Sequence, residues 1–245
     1  MGLEEKPSHT LGRFSDMPRD AQELLAGQLQ PALQSEVPIN ELRALINSAL
    51  LATGHRAGDA AIITDTIMYA ELRGNNQGVV KLVTGSLTPS KDQGEPAIVY
   101  ESKLSATING NNCPGIPLLQ LCVDKAIAKC SEHGMSVVAC SGYSSPSGAL
   151  GHWARLVAQK GFIAIVMSQC PEYVAPYGSY EPLLGTNPIA FGIPVDAPSL
   201  AQPIVLDMAT SAIAYCKPNP CPCRSQLTCD DVFYDRWCSD SLRER

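Results

Sequence analysis

Two side-chain amides, Asn76 and Gln77, are the first residues whose type and setting suggest chemistry. They lie in the stretch RGNNQG, between two glycines and directly after a segment with helical spacing of apolar residues. Amide groups donate and accept hydrogen bonds but carry no titratable proton. They could therefore orient a polar substrate, whereas proton transfer would need another residue.

A second loop, GYSSPSG, follows a β-rich run and leads into a helical segment. A Gly/Ser-rich loop that opens a helix is suited to a phosphate group, because free backbone N–H groups and the positive helix end face the ligand. The candidates are Ser144, Ser145, Ser147 and Gly148. A tight turn with Ser147 as the helix N-cap explains the same residues. The sequence has no G-x-G-x-x-G, so the Rossmann fingerprint is absent.

A third loop, LLGTNP, places Thr186, Asn187 and Pro188 directly before an apolar strand. Gly, Asn and Pro are typical turn residues, and Pro188 would stiffen the exit from the turn. A turn alone explains this loop when it is taken in isolation.

Composition limits the classes of protein to which the chain can belong. It has 245 residues, 45% hydrophobic and 17% charged, which predicts one or two globular domains. A net charge of -6 with scattered Lys and Arg argues against a nucleic-acid partner. No apolar run is long enough for a membrane span, and the N-terminus shows no leader pattern, so we expect a cytoplasmic protein.

The ten cysteines do not form a regular disulfide framework. Five lie singly in apolar segments, where a reduced thiol behaves as a small hydrophobic group. These are Cys113, Cys122, Cys130, Cys140 and Cys170. The other five follow Tyr215 without paired C-x-x-C spacing, so no metal ligand is assigned and a zinc site is only weakly indicated.

Hydrophobic periodicity predicts helices at 39–53, from an Asp59 N-cap to Leu72, at 118–133 and at 149–160. Short strands are predicted at 97–101 and 104–109, and in MSVVACS, FIAIVMS, IAFGIPV and PIVLDMA. The chain divides into a flexible extension (1–36), a helical region (37–95), a sheet domain (96–215) and a Cys-rich tail that is expected to be disordered (216–245).

The order of these segments resembles the malate/L-lactate dehydrogenase family of non-Rossmann NAD(P)-dependent oxidoreductases. Four stretches carry the resemblance: AELRG with the preceding Asp59-Ala60, GALGHWA, LGTNP and LDMATS. The last two stretches match the family motifs outright and follow each other at the distance seen in the family. The resemblance as a whole covers about Pro38 to Tyr215.

The resemblance implies an α+β fold, with a largely antiparallel mixed sheet wrapped by helices and a small N-terminal helical region. It also implies a homodimer, NAD or NADP as cofactor, and hydride exchange with a small 2-hydroxy or 2-oxo acid. Such a reaction needs a hydride donor, a proton donor and a cation for the substrate carboxylate.

The chain departs from the family pattern at both usual histidines. Asn76 and Gln77 replace the Ser-His of the family stretch SHGxxR, Lys81 replaces its arginine, and Pro146 replaces the second histidine. Lys81 keeps the positive charge but not the bidentate fork. Lys81, Tyr143, or Ser144 and Ser145 acting through water are the candidates for the missing proton donor.

The resemblance therefore predicts two groups of site residues. The catalytic group is Lys81, Gln77, Asn76 and Ser145. The cofactor group is Ser144, Ser147, Gly148, Thr186, Asn187, Asp207 and Thr210.

The remaining histidines have simpler interpretations. His152 is predicted to be a packing or surface residue, and His55 and His133 to be cations beside helix-ending glycines.

The sequence after Tyr215 does not resemble the family end, so we expect a truncated or altered C-terminus that leaves the sheet and the cofactor cleft partly uncovered. Two hypotheses follow: an active dehydrogenase, or a catalytically inactive protein that binds a nucleotide or a full-length partner subunit. A zinc-binding tail on an enzyme core is a third alternative.

Overall fold

The computed structural model describes residues 36–75, 77–195 and 202–211. Within these ranges the chain forms five helices and six strands. The helices are α1 (Ile39–Ala52), α2 (Ala57–Glu71), α3 (Val80–Val83), α4 (Gly115–His133) and α5 (Leu150–Ala158). The strands are β1 (Ala97–Glu101), β2 (Ser105–Asn109), β3 (Val137–Ser141), β4 (Ala164–Met167), β5 (Ile189–Ile193) and β6 (Ile204–Met208).

The predicted elements are confirmed, with changes at their ends. Helix α2 begins at Ala57 after an extended Arg56, so the prediction of Asp59 as its N-cap was wrong. Asp59 lies instead in the first turn, where its negative charge suits the helix dipole. Helix α4 ends as predicted, because Gly134 adopts a left-handed φ of 84° and donates to the carbonyl of Cys130.

The six strands form two sheets of three. Sheet 1 has the order β1-β2-β3, with β1 antiparallel and β3 parallel to β2. Sheet 2 has the order β4-β5-β6 and is antiparallel throughout. The fold is thus α+β and largely antiparallel, as expected. Strands β3 and β4, which flank α5 in the chain, belong to different sheets and form no parallel crossover.

Helix α2 lies at the centre of the molecule and packs against α1, α4 and α5. Its apolar side chains are buried on most of its surface, which explains why its hydrophobic pattern is not one-sided. The main core joins Ile46 of α1, Ile67 of α2, Ile116 of α4 and Trp153 of α5. The predicted boundary between a helical region and a sheet domain at 95/96 stays a prediction.

In strands β2 and β3 of sheet 1, buried side chains lie on the inner face and mainly small side chains on the outer face. The inner face presents Ile108 and, beside it, Cys140 to helix α4. The outer face of these two strands carries Ser105, Thr107, Asn109, Val137, Ala139 and Ser141, and the edge strand β1 adds the exposed Tyr100 opposite Thr107. Lys125 and Lys129 of α4 tie this sheet to the helix through Glu101 of β1.

Sheet 2 has the opposite arrangement. Its inner face against α5 is built from small residues, among them Ala164, Ala190 and Gly192. Its outer face is apolar and large: Ile165, Met167, Ile189, Phe191, Ile193, Ile204, Leu206 and Met208. Several of these are widely exposed, including Met167 at 72% and Ile165 at 59%. The described residues therefore leave this face uncovered.

Residues 1–35 of the expected flexible extension, the whole Cys-rich tail and its zinc alternative lie outside the described residues. In the described ranges no helix is long and apolar enough to cross a membrane, and no cluster of three metal-ligating side chains occurs. The five cysteines predicted to be reduced are free thiols there.

Candidate functional site

The RGNNQG loop forms a turn that is held by polar contacts at the end of α2. The carbonyl of Ala70 accepts the Asn75 N–H, and the Asn75 side-chain oxygen accepts the Gln77 N–H at 2.9 Å. The Glu71 carboxylate accepts the Val79 N–H at 2.9 Å. This fixes the short helix α3, on which Lys81 is half-buried. Asn76 lies outside the described residues.

Ser144 and Ser145 bind the start of helix α4. The Ser145 hydroxyl oxygen accepts the Gly115 N–H at 3.0 Å, and Ser145 is buried. The Ser144 N–H and hydroxyl both approach the carbonyl of Cys113. The Ser145 contact satisfies one free N–H of a helix N-terminus that has no side-chain cap of its own, and the Ser144 contacts hold the chain just before that helix. Ser145 thus has a structural role in addition to its predicted catalytic one.

The turn before α5 is shaped by packing. Gly148 has a φ of 73°, and a Cβ there would lie 2.6 Å from the Thr66 methyl group of α2. The Ser147 carbonyl accepts the indole N–H of Trp153 at 2.9 Å. Helix α5 begins after Ala149, so the alternative of Ser147 as its N-cap was wrong. The structure places both predicted cofactor residues in a turn that docks α5 onto α2.

The Asp207 carboxylate lies at the N-terminus of α5. Its Oδ2 accepts the Gly151 N–H at 2.7 Å, and burial raises its pKa. A Cβ on Gly151 would lie within about 3 Å of both Asp207 and the Tyr69 hydroxyl. A carboxylate therefore already occupies one of the amides that a phosphate would use at this helix end.

The LGTNP and LDMATS motifs meet in space. The Thr186 carbonyl accepts the Thr210 N–H at 3.1 Å, and the Thr210 hydroxyl donates to the Asn187 carbonyl at 3.0 Å. Asn187 has a φ of 33°, and its side-chain oxygen accepts the Cys170 N–H. Three predicted cofactor residues, Thr186, Asn187 and Thr210, thus form one hydrogen-bonded unit.

A cationic group beside this region was not predicted from the sequence. Tyr69 of α2 is flanked by two guanidinium groups, Arg73 at 3.7 Å and Arg155 at 5.2 Å from the ring centre. In the sequence Arg73 is part of the AELRG motif and has no assigned role. It lies just beyond the end of α2, four residues after Tyr69, and this spacing is the available signal, whereas Arg155 comes from a distant helix.

Two clefts of about 390 Å³ each share Tyr69, Arg73 and Arg155. The first lies among the helices and reaches His152. The second opens towards Asn75 and Asp207. Of the predicted site residues that the structure describes, only Asp207 lines either cleft.

Two histidines are buried. His55 is 6% exposed, and its Nε2 lies 2.7 Å from the carbonyl of Leu87, so its side chain contacts a distant loop and does not cap the end of α1 as predicted. His152 packs edge-on against Tyr69 and Trp153, which confirms its prediction as a packing residue. Burial first, and then the charge of Arg155, lower its pKa to about 4.

The family model described as malate/L-lactate dehydrogenase matches residues 37–220. The malate dehydrogenase of Pyrococcus abyssi is 33% identical over 182 residues, which is 72% of this chain and 49% of that protein. The NAD(+)-dependent ureidoglycolate dehydrogenase of Escherichia coli K12 is 30% identical over 72% of this chain and 51% of its own length.

Solved structures agree with these relatives. The malate dehydrogenase structure from Pyrococcus horikoshii OT3 aligns with a TM-score of 0.68 and 30% identity over 74% of this chain and 52% of that one. The sulfolactate dehydrogenase structure from Methanocaldococcus jannaschii gives a TM-score of 0.64 at 28% identity.

The α+β fold and its paired motif loops place the chain among the non-Rossmann dehydrogenase folds. The chain belongs to the malate/L-lactate dehydrogenase family. It spans about half the length of the curated relatives that it matches.

Proposed function

We propose that the chain acts as an NAD(P)-dependent oxidoreductase, exchanging hydride between a nicotinamide and a small 2-hydroxy or 2-oxo acid. The observation that carries the proposal is the hydrogen bonding of Thr210 to Thr186 and Asn187. These hydrogen bonds hold two family motifs, which are about twenty residues apart in the chain, together beside sheet 2. A pair of fixed loops that presents amide and hydroxyl groups is suited to the carboxamide of a nicotinamide ring.

The residues of this chain divide the remaining tasks. Lys81 holds the substrate carboxylate, while Asn76 and Gln77 orient the substrate through hydrogen bonds. The nicotinamide supplies the hydride when it is bound. A proton must reach the substrate oxygen in the same step, and Lys81, or Tyr143 through the Ser144 and Ser145 hydroxyls and water, is proposed to deliver it.

The diphosphate of the cofactor is harder to accommodate at the start of α5. The Asp207 carboxylate lies on the Gly151 amide and would repel a phosphate there. Ser144, which is exposed, and Ser147 are the proposed contacts instead.

We propose that the active form is a cytoplasmic homodimer.

The test is a two-stage measurement on the full chain. Fluorescence titration with NADH and NADPH measures cofactor binding, and loss of nicotinamide absorbance with a panel of 2-oxo acids measures turnover. Lys81→Gln should raise KM about tenfold or more, because a charge-assisted hydrogen bond is lost, while cofactor affinity stays unchanged. Lys91→Gln, at an exposed loop position, is the matched control. Absence of cofactor binding would refute the proposal.

A second candidate function is a non-catalytic subunit that pairs with a full-length chain of the same family. The uncovered outer face of sheet 2 favours it, since exposed apolar patches of this kind are commonly interfaces. Cofactor binding without turnover, together with a heteromeric species in sedimentation when a full-length relative is added, would support this alternative over the first.

A further inference from the structure

The cleft among the helices, here called the helix cleft, has an unusual charge balance. Its charged and aromatic walls are Arg43, Asp65, Tyr69, Arg73, His152 and Arg155. Arg43 forms an ion pair with Asp65. Within 36–75, 77–195 and 202–211, neither Arg73 nor Arg155 forms an ion pair with a carboxylate. The helix cleft therefore carries two cations in excess.

Two buried nitrogen atoms at this cleft lack hydrogen-bond partners among the described residues. They are Nε of Arg155 and Nδ1 of His152. Buried polar atoms are rarely left unsatisfied, because an unpaired donor or acceptor loses its hydrogen bonds to water without replacement. His152 is 4% exposed and, with its lowered pKa, is neutral at physiological pH. It can thus offer a hydrogen bond without adding to the positive charge.

Apolar side chains complete the helix cleft. Met68, Leu72 and Leu156 line it beside the polar groups, and Gln120 adds an amide from α4. Its volume of about 390 Å³ lies within the range of small-molecule sites. The neighbouring cleft is less favourable for an anion, since Asp207 lies in its wall.

We propose that the helix cleft binds a small oxyanion, a carboxylate or a phosphate ester with a short hydrocarbon body, through the guanidinium groups of Arg73 and Arg155. The planar guanidinium groups donate to the oxygens, because paired N–H groups match the geometry of both anions. The apolar side chains of Met68, Leu72 and Leu156 contact the hydrocarbon part of the bound anion. This site is separate from the residues proposed for substrate and cofactor.

The test titrates the full chain, prepared in chloride, with inorganic phosphate and separately with succinate at constant ionic strength. Calorimetry measures binding, and the imidazole resonances of His152, assigned by their loss in His152→Phe, report its location. We expect saturable binding of at least one anion with a Kd of about 1 mM or tighter. The His152 pKa should rise on binding, because the anion offsets the repulsion by Arg155.

Variants separate a specific site from general attraction. Arg155→Gln and Arg73→Gln should each weaken binding about tenfold, while Arg73→Lys, which keeps the charge but not the fork, should weaken it less. Arg56→Gln is the control, since Arg56 pairs with Glu95 and does not line the helix cleft. Preference for phosphate or for succinate would identify the source of the anion.

Three outcomes would overturn the proposal: no saturable binding of either anion, an unmoved His152 resonance, or equal weakening in Arg56→Gln. Nicotinamide binding measured on the same variants should be unchanged. Loss of nicotinamide binding in these variants would contradict the separation of the two sites, whereas failure of the unchanged protein to bind nicotinamide would count against the dehydrogenase proposal alone.

Discussion

The two sheets distribute their side chains in opposite ways, although both are three-stranded and both pack on one helix. Sheet 1 turns Ile108 and Cys140 inward and small residues outward. Sheet 2 turns Ala190 and Gly192 inward, and its isoleucines, leucine and methionines outward. The larger apolar side chains of a sheet normally face the protein core. Among the described residues, sheet 2 therefore exposes large apolar side chains on all three strands of its outer face, whereas sheet 1 exposes them mainly on the edge strand β1 and at Val137.

The first and largest expected effect concerns the inner face of sheet 1. Ile108→Ala should destabilise the protein by about 2–5 kcal/mol, because it leaves a cavity beneath α4 at a fully buried position. Urea unfolding followed by circular dichroism measures this change. Thr107→Ala, on the outer face, should stay within about 0.5 kcal/mol of the wild type. Equal losses at both positions would mean that sheet 1 is buried on both faces.

The second prediction uses pH to destabilise the part of the protein around sheet 2 before the part around sheet 1. The folded pKa of His152, about 4, lies below its ordinary value of 6.5, so the unfolded chain takes up a proton first as the pH falls. The contribution of neutral His152 to the free energy of unfolding is fully present above pH 6.5. It is lost as the pH falls towards 4, by at most about 3 kcal/mol. His152→Phe keeps the aromatic packing and should flatten this dependence.

Hydrogen exchange is the measurement that locates the acid effect. Since His152 lies on the helix that covers sheet 2, the amides of α5 and sheet 2 should lose protection before those of sheet 1. His133→Gln, on a more exposed histidine at the end of α4, is the control for a histidine that does not lie on α5. Loss of protection in sheet 1 first would contradict the assignment to His152.

The third prediction tests why the inner face of sheet 2 is small. A Cβ at Gly192 would collide with the backbone of Ala154 in α5. Gly192→Ala should therefore cost about 1–3 kcal/mol in urea unfolding, since the helix must move away. Gly58→Ala, at a helical position with open space around it, should be neutral or stabilising. A neutral Gly192→Ala would show that α5 is loosely held.

The sequence predicts the elements of both sheets but not their opposite orientations. The strand pattern of IAFGIPV is apolar on both faces, so periodicity cannot say whether Phe191 or Ala190 faces the helix. The close approach of Ala154, which requires the small residues, depends on tertiary packing. The motif loops were placed by resemblance, and the bonds from Thr210 to Thr186 and Asn187 show that the two loops meet in space.

The Arg73–Tyr69–Arg155 group could not be predicted, because it joins two helices about eighty residues apart in the chain. Single arginines at helix positions are ordinary surface residues in a sequence. The burial of His55 was missed for a similar reason, since its partner, the carbonyl of Leu87, is a backbone atom that carries no sequence signal.

The last prediction has the smallest effect on stability and addresses the uncovered face directly. Ile165 and Leu206 flank Phe191 in one cross-strand row. Ile165→Thr with Leu206→Thr should change the unfolding free energy by no more than about 1 kcal/mol, because both side chains are about half exposed or more. The double variant should nevertheless reduce self-association in sedimentation and the binding of a hydrophobic dye.

Thr107→Val, on the outer face of sheet 1, is the matched reverse change and should alter neither self-association nor dye binding much. If the double variant instead unfolds, the outer face of sheet 2 is already covered within the protein, and its difference from sheet 1 concerns folding and not association.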